Sequence, residues 1–306
     1  MARRENLRPA EFQTIGWQGL LLRVPEAWNC SIYQGTFKQG MVVLSDLRTA
    51  QLEVQWRTLR PRKLRRAMRK LQAGLTRNGH RVTPLSAVAG AFAVRAQGKP
   101  AMVLLQTSAR LVEITFPDRP AYLEKIAASV VDQAGLEWQY WGLYNFFVWT
   151  PRRWLLKKTK LTPGAASLDF SRRRRILAAG SWSMADRLLA GGRLRDWAEG
   201  GVSWVRAFNR QKKARGSWAQ CPPGEVFTVN YKRLGRRRVQ RLYLWHDEMR
   251  NSIAWLHVAG GVKDEAWMQE TAARFLDTCC ERRAADADAL APAAAPNGAD
   301  ANKTPA

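Results

Sequence analysis

The stretch WQGLLLRVPEAW at residues 17–28 decides the fold, because the chain contains it twice. Its second copy is LYNFFVWTPRRW at residues 143–154, in which Pro151 matches Pro25 and Trp154 matches Trp28. The two copies are offset by 126 positions. Apolar and polar residues alternate before Pro25, which is typical of a β-strand that ends at the proline. The stretch therefore predicts the opening strand of a repeated unit.

The same offset continues through later landmarks of the chain. Glycine, serine and aromatic positions recur at this spacing, and the register runs into a helix in each half. A constant offset through many positions indicates a duplicated unit. The matched pairs are Gly16 with Gly142, Ser45 with Ser171, Trp56 with Trp182, Met68 with Leu194, and Leu71 with Trp197.

Each copy predicts strands, a helix, further strands and a closing helix. The helix over 59–75 is identified by the apolar residues Leu64, Met68 and Leu71, which recur at helical spacing. Residues 201–226 interrupt the register of the second copy as an insertion. The other predicted elements are strands at 14–25, 41–44, 51–56, 92–96, 101–107, 110–116, 227–231, 241–245 and 251–258, and helices at 122–131 and 264–279.

These elements predict an α+β fold of two duplicated units. In each unit we expect helices to pack on an antiparallel β-sheet as an αβα sandwich. The end of the chain is rich in Ala, Pro and Asp and predicts a disordered tail. The predicted boundaries are 1–13 for an N-terminal arm, 14–136 for the first unit, 137–281 for the second unit with its insertion at about 201–226, and 282–306 for the tail.

Three segments of the first unit resemble the PsbP-like superfamily. They are GLLLRVPEAW at 19–28, the helix after the third strand, and LVEITF at 111–116 followed by YLEKIA at 122–127. That group includes the photosystem II extrinsic subunit PsbP, the Ran-binding Mog protein and DcrB-like proteins. The resemblance implies tandem αβα domains and a tendency to act as a binding module. Because the members differ in function, it implies no particular activity.

The charge balance is the sharpest feature of the composition. The chain has 50 Lys and Arg against 25 Asp and Glu, which gives a net charge of +25. Such an excess favours nucleic acid, an anionic membrane or an acidic protein as partner. A basic composition spread over solvated faces would give the same count.

The basic residues form four clusters that we predict to bind polyanions. Basic side chains contact phosphates, and aromatic side chains can stack on unpaired bases. The insertion combines both, because it also contains Trp204, Phe208 and Trp218. The clusters are Arg62, Lys63, Arg65, Arg66, Arg69 and Lys70 on the first helix; Arg172, Arg173, Arg174 and Arg175 between two strands; Arg210, Lys212, Lys213 and Arg215 in the insertion; and Arg236, Arg237 and Arg238 at a hairpin.

Signatures of catalysis are scarce. The sequence has no P-loop, dinucleotide-binding, nucleophile-elbow or HExxH pattern. Its three histidines form no closely spaced ligand set in the sequence, and its four cysteines contain no CxxC pair. His246 beside Asp247 and Glu248 could be drawn as a general base with an orienting acid, but a charged hairpin turn explains the same residues. We therefore expect no catalytic residue, no metal, no cofactor and no enzymatic activity.

The start of the chain lacks the apolar core of a secretory signal, and no apolar run approaches the ~20 residues of a spanning helix. The sequence thus predicts a cytoplasmic protein. The leading hypothesis is a non-enzymatic binding protein whose basic surface holds RNA, DNA or another polyanion. The alternatives are an adaptor for an acidic protein, and an enzyme or small-ligand carrier with a cavity under the sheets. Binding to an anionic membrane surface is a weaker prediction.

Overall fold

The computed structural model describes residues 12–46, 49–95, 101–107, 109–117, 122–143, 146–162, 164–201, 215–222, 224–233 and 236–290. The chain divides into two compact units. The first comprises Met1–Thr162 with Ala166–Gly180, and the second comprises Pro163–Ala165 with Ser181–Ala306. This division follows contacts in space and does not coincide with residue 137, where the sequence repeat predicts that the second copy begins.

The elements of the first half are strands β1 (Phe12–Trp17), β2 (Leu20–Pro25), β3 (Asn29–Gly35), β4 (Gln39–Ser45) and β5 (Ala50–Thr58), helix α1 (Pro61–Arg77), strands β6 (Arg81–Pro84), β7 (Phe92–Arg95), β8 (Ala101–Gln106) and β9 (Arg110–Phe116), helix α2 (Leu123–Ala128) and strand β10 (Val131–Asp132). Those of the second half are strands β11 (Trp138–Leu143), β12 (Phe146–Pro151), β13 (Leu155–Thr162), β14 (Ala165–Arg172) and β15 (Arg175–Ser183), helices α3 (Ala185–Leu189) and α4 (Leu194–Gly201), strands β16 (Arg215–Cys221), β17 (Gly224–Arg233), β18 (Arg236–Asp247) and β19 (Ser252–Gly261), and helix α5 (Glu265–Leu290).

A five-stranded sheet in the first unit joins the two copies of the opening stretch. Its order is β10-β2-β1-β11-β12. β1 and β11 pair antiparallel with Gly16 opposite Gly142, the two glycines that the offset of 126 matches. A Cβ atom on Gly16 would lie 2.6 Å from the carbonyl oxygen of Tyr140, so the close pairing requires glycine there.

The predicted opening strand is a hairpin rather than one strand. The β1–β2 turn is made by Gln18 and Gly19, both with positive φ, and β2 ends at Pro25 as predicted. The bounds of β11 and β12 are those of β1 and β2 shifted by the same offset. The sequence pattern did not predict this turn, because Gln18 and Gly19 lie inside a stretch whose apolar and polar residues alternate as in a single strand.

The second sheet has seven antiparallel strands in the order β3-β4-β5-β9-β8-β7-β6. Helix α1 packs on β6, β8 and β9. Its apolar stripe is buried, with Leu64 and Met68 packed against Val94, Leu104 and Leu111. The stripe predicted from the sequence is therefore the face that anchors α1, and the six basic residues around it face solvent.

The third sheet repeats the same strand order in two runs. The run β13-β14-β15 corresponds to β3-β4-β5, and the run β19-β18-β17-β16 corresponds to β9-β8-β7-β6. In the second unit, Phe227, Leu242 and Ile253 form a buried cluster on which Trp182 and Trp255 pack. Helix α5 packs on β18 and β19. It extends to Leu290, into the segment predicted to be a disordered tail, and residues 291–306 lie outside the described part.

The predicted αβα sandwich is wrong. Of the described residues, more than half lie in strands and about a quarter in helices, so this part of the protein is mostly β, with three large antiparallel sheets and few helices. The sequence pattern missed β3, β6, β13 and β16, each of which lies at the end of its sheet order. Edge strands such as β3 are exposed along most of their length, so they lack the period-two apolar pattern that identifies a half-buried strand.

None of the helices in the described part of the chain has both the length and the apolar content needed to cross a membrane.

Candidate functional site

The six predicted cations of α1 lie together on one solvent-facing surface, here called the basic face (Arg62, Lys63, Arg65, Arg66, Arg69 and Lys70). All six are exposed, whereas Leu64 and Met68 between them are buried. Pro61 begins the helix, where its fixed φ is compatible with the first turn. Packing of the apolar stripe thus presents the basic face to solvent.

The basic face is electrostatically unfavourable to the helix that bears it. Helix α1 has no acidic residue along its length, and its positively polarised N-terminus is met by Arg62 and Lys63. Cations three and four positions apart are neighbours, and each like-charge pair costs about 0.2–0.5 kcal/mol. The helix therefore depends on the packing of its apolar stripe rather than on its surface charges.

The other predicted clusters lie on separate elements. Arg172–Arg175 forms the β14–β15 hairpin, where Arg173 adopts a left-handed conformation and Arg173 and Arg174 are exposed. In the second unit Arg237 is exposed and Arg238 is half-buried on β18. Arg215 begins β16 and Arg236 begins β18, whereas Arg210, Lys212 and Lys213 lie outside the described residues.

Of the aromatic residues predicted to stack on bases, Trp218 alone lies in the described part of the chain, and it is half-buried. Every tryptophan in the described part of the chain is buried or half-buried. Trp218 packs on Phe227 with ring centroids 4.9 Å apart, and its indole N–H donates to Glu199 Oε1 at 2.7 Å. Trp204 and Phe208 lie outside the described residues. The described tryptophans consequently serve the cores.

The His246 neighbourhood has the contacts of a hairpin turn. Asp247 is buried, accepts a hydrogen bond from the Arg250 backbone N–H at 3.1 Å and lies 3.3 Å from the Arg250 guanidinium. His257 lies 3.2 Å from Gln240 Oε1, and burial lowers the pKa of its imidazole to about 4. In these contacts Asp247 closes the β18–β19 turn and His257 belongs to the packed sheet.

A second basic site in the first unit was not predicted. A pocket of about 730 Å³ lies between the β3–β4 turn and the corner that joins β12 to β13. Among the described residues that line it, none is acidic. We call it the basic pocket; its cations are Lys38, Arg152, Arg153, Lys157 and Lys158.

The corner between β12 and β13 fixes the position of two of these cations. β12 ends at Pro151, whose carbonyl accepts the backbone N–H of Trp154 at 3.4 Å. Trp154 is buried, whereas Arg152 and Arg153 between the two anchors are exposed. The backbone N–H of Arg152 also donates to the Glu137 carbonyl at 2.7 Å. The repeated Pro–Trp corner therefore positions both arginines at the pocket.

A sequence signal for the basic pocket exists in the difference between the two copies. At an offset of 126, four of its cations replace residues that are not basic, and one of these replaces an acid. Comparing the copies for charge, rather than for similarity, would have identified it. The replacements are Glu26 by Arg152, Ala27 by Arg153, Ser31 by Lys157 and Ile32 by Lys158.

A buried arginine supports the wall of the pocket. The guanidinium of Arg110 is fully buried 3.7 Å from Asp132 and lies 3.9 Å from the ring centroid of Phe37, which lines the pocket. Its three nitrogens have no hydrogen-bond partner within the described part of the chain. Burial lowers the pKa of Arg110, and Asp132 opposes that shift. Thr107 Oγ1 donates to Asp132 at 2.6 Å.

Comparison with known proteins identifies no family for this chain. No protein-family model matches the chain, and no curated protein matches it. The PsbP-like resemblance therefore has no support beyond the segments that suggested it. Among solved structures, a chain of "The crystal structure of Tle4-Tli4 complex" is similar with a TM-score of 0.32 and 10% sequence identity, over 81% of this chain and 85% of that chain. A similarity of that size does not indicate a function.

Proposed function

We propose that this protein is a non-enzymatic binding protein for polyanions, and that the basic face of α1 is its contact surface. The observation that carries the proposal is a helix with six exposed cations and no acid, held in place by an independent apolar stripe. Within the helix these like charges repel one another. A bound polyanion converts that repulsion into attraction.

The phosphate backbone of a nucleic acid is the polyanion that we favour. Residues Arg62 to Lys70 span about 12 Å along the helix axis at 1.5 Å per residue. Phosphates along one DNA strand recur every 3.4 Å of helix axis, so the basic face can reach several of them. Because the described tryptophans are packed into cores, contact through charge is favoured over base stacking. We therefore expect binding with little sequence preference.

A titration with two charge-matched variants tests the proposal. Fluorescence anisotropy of a labelled RNA duplex and a labelled single strand would be measured for the wild type, for Arg65→Gln/Arg69→Gln and for Arg193→Gln/Lys263→Gln. All four substituted side chains are exposed, and both variants lose the same charge. We expect the α1 variant to bind about tenfold more weakly and the control to change less than about twofold. Equal weakening would mean that bulk charge, not α1, carries the binding.

The same assay separates nucleic acid from an acidic protein. Polyglutamate of matched total charge would compete with RNA for the wild-type protein. Displacement only at large excess supports the nucleic-acid proposal, because phosphates at fixed spacing match the helix better than a flexible carboxylate chain. Displacement at equal concentration would favour an acidic protein as the partner instead.

A further inference from the structure

We propose that the basic pocket is a binding site for a small amphipathic organic anion, one with an apolar body and a phosphate, sulfonate or carboxylate head. This site is separate from the basic face of α1. Most of its residues lie on the β3–β4 turn, β11 and the β12–β13 corner with the strand that follows, and Gln18 and Ala134 complete the lining. The proposal rests on the size, the charge and the walls of the pocket.

The size suits a small molecule. At about 730 Å³ the pocket falls within the range of roughly 300–1,000 Å³ that is usual for ligand sites. A polyanion backbone needs an extended surface, whereas a concave pocket encloses one compact ligand. The shape therefore indicates a different ligand from the one proposed for α1.

The charge selects an anion. Lys38, Arg152, Arg153 and Lys157 are all exposed around the pocket, and none of its described lining residues is acidic. Lys158 is also exposed and lines the pocket. The lining thus offers five cations to the anionic head. Arginine and lysine together accommodate phosphate, sulfonate and carboxylate oxygens.

The walls select an apolar body. Phe37, Trp141 and Leu156 line the pocket, and Leu155 at its rim is 59% exposed, which is unusual for a large aliphatic side chain. The buried side chain of Gln139 adds a polar group to the lining. This mixture of apolar walls with a few polar groups is typical of pockets that bind organic ligands.

The turn that forms one wall is fixed before any ligand binds. The indole N–H of Trp56 donates to the Thr36 carbonyl at 3.0 Å, and the Thr58 backbone N–H donates to the Lys38 carbonyl at 2.6 Å. Between them, Phe37 packs on the buried guanidinium of Arg110. A preorganised wall reduces the entropy lost on binding, so Arg110 acts as a positioning residue for Phe37.

The test compares two lysines of the same strand. Lys157 and Lys160 are both exposed on β13, but only Lys157 lines the pocket. The probe is 1-anilinonaphthalene-8-sulfonate, followed by fluorescence and calorimetry, with N-phenyl-1-naphthylamine as the same ring system without the charge. We expect one site per chain, a neutral analogue about tenfold weaker, and about tenfold weaker sulfonate binding in Lys157→Gln with no change in Lys160→Gln.

Competition experiments identify the preferred head group, and the α1 variant distinguishes this proposal from the proposed binding of polyanions. Displacement of the probe by decyl phosphate or by decanoate supports the site and names its preferred head, while displacement by neither overturns it. Inorganic phosphate alone should compete poorly, because it lacks the apolar body. The α1 variant Arg65→Gln/Arg69→Gln should bind the probe as the wild type does. Equal binding of the neutral analogue, or equal loss in Lys157→Gln and Lys160→Gln, would overturn the proposal.

Discussion

Replacing Arg66 on α1 should stabilise the protein while weakening polyanion binding. Arg66 has a cation at every position that a helix places beside it, namely Arg62 and Lys63 one turn earlier and Arg69 and Lys70 one turn later. At about 0.2–0.5 kcal/mol for each like-charge pair, Arg66→Gln relieves about 1 kcal/mol of repulsion. Gln and Arg have similar helix propensities, and Arg66 is exposed, so neither propensity nor packing should mask the gain.

Urea unfolding followed by tryptophan fluorescence measures the change, in about 0.02 M and about 0.5 M NaCl, since added salt screens exposed charges. We expect Arg66→Gln to raise the free energy of unfolding at low salt and to lose most of that gain at high salt. Arg66→Glu should gain more, because it turns repulsion into attraction. The control Lys263→Gln, an exposed residue on another element, should stay within about 0.5 kcal/mol of the wild type.

The reasoning is refuted if Arg66→Gln does not raise the free energy of unfolding at low salt, or if the increase is the same at high salt. In the first case the basic face would not be repulsive. In the second case the gain would come from something other than charge.

Three further predictions concern buried groups. Arg110→Met should change the free energy of unfolding by no more than about 1 kcal/mol, because an apolar side chain replaces a buried ion that lacks hydrogen bonds. Asp132→Ala should lower it by about 3 kcal/mol, because Arg110 is left without its counter-charge. Chemical denaturation of both variants measures the two changes. Burial lowers the pKa of His257 from 6.5 to about 4, so as the pH falls the unfolded chain binds a proton before the folded chain does. The free energy of unfolding should therefore be constant in this respect above pH 6.5 and fall by up to roughly 3 kcal/mol as the pH drops to 4. The pH dependence of unfolding should be flatter in His257→Gln, and an equal slope would contradict this. Gly16→Ala should cost more than about 2 kcal/mol because its Cβ meets the Tyr140 carbonyl, and a melting temperature equal to the wild type would contradict it.

Helix α1 and its basic face could be predicted from the sequence, because both follow from the spacing of neighbouring residues. Leu64 and Met68 lie one turn apart, so the apolar stripe and the cations around it can be read from a short window. The repeat could also be predicted from the sequence, because a fixed offset matches Gly142 with Gly16 without any knowledge of the fold. In the structure those two glycines face each other across β1 and β11.

The sheet edges and the basic pocket could not be predicted in the same way. β3 is a largely exposed edge strand, and β6 is an edge strand of four residues of which none is fully buried, so no apolar pattern distinguishes them from loops. The basic pocket is lined by Lys38 together with Arg152 and Lys157, which are more than a hundred positions away in the chain. Proximity over that range leaves no local pattern in the sequence. Two helices among runs of antiparallel strands predicted an αβα sandwich, whereas the additional edge strands make the described structure mostly β.

The burial of Arg110 was also beyond the sequence. Its position at the start of β9 resembles that of any solvent-facing strand residue. Phe37 in the β3–β4 turn and Asp132, both from distant parts of the chain, lie against it. Its contact with Phe37 connects the core of the first unit to the wall of the basic pocket.

The salt dependence of RNA affinity tests the central claim most directly. The slope of log affinity against log salt counts the phosphates that a protein neutralises, at about 0.7 per contact for a single strand and 0.9 for a B-DNA duplex. We predict that Arg65→Gln/Arg69→Gln lowers the slope by about one to two, while Arg193→Gln/Lys263→Gln leaves it unchanged. An α1 variant with the wild-type slope and affinity would contradict the claim that α1 is the contact surface.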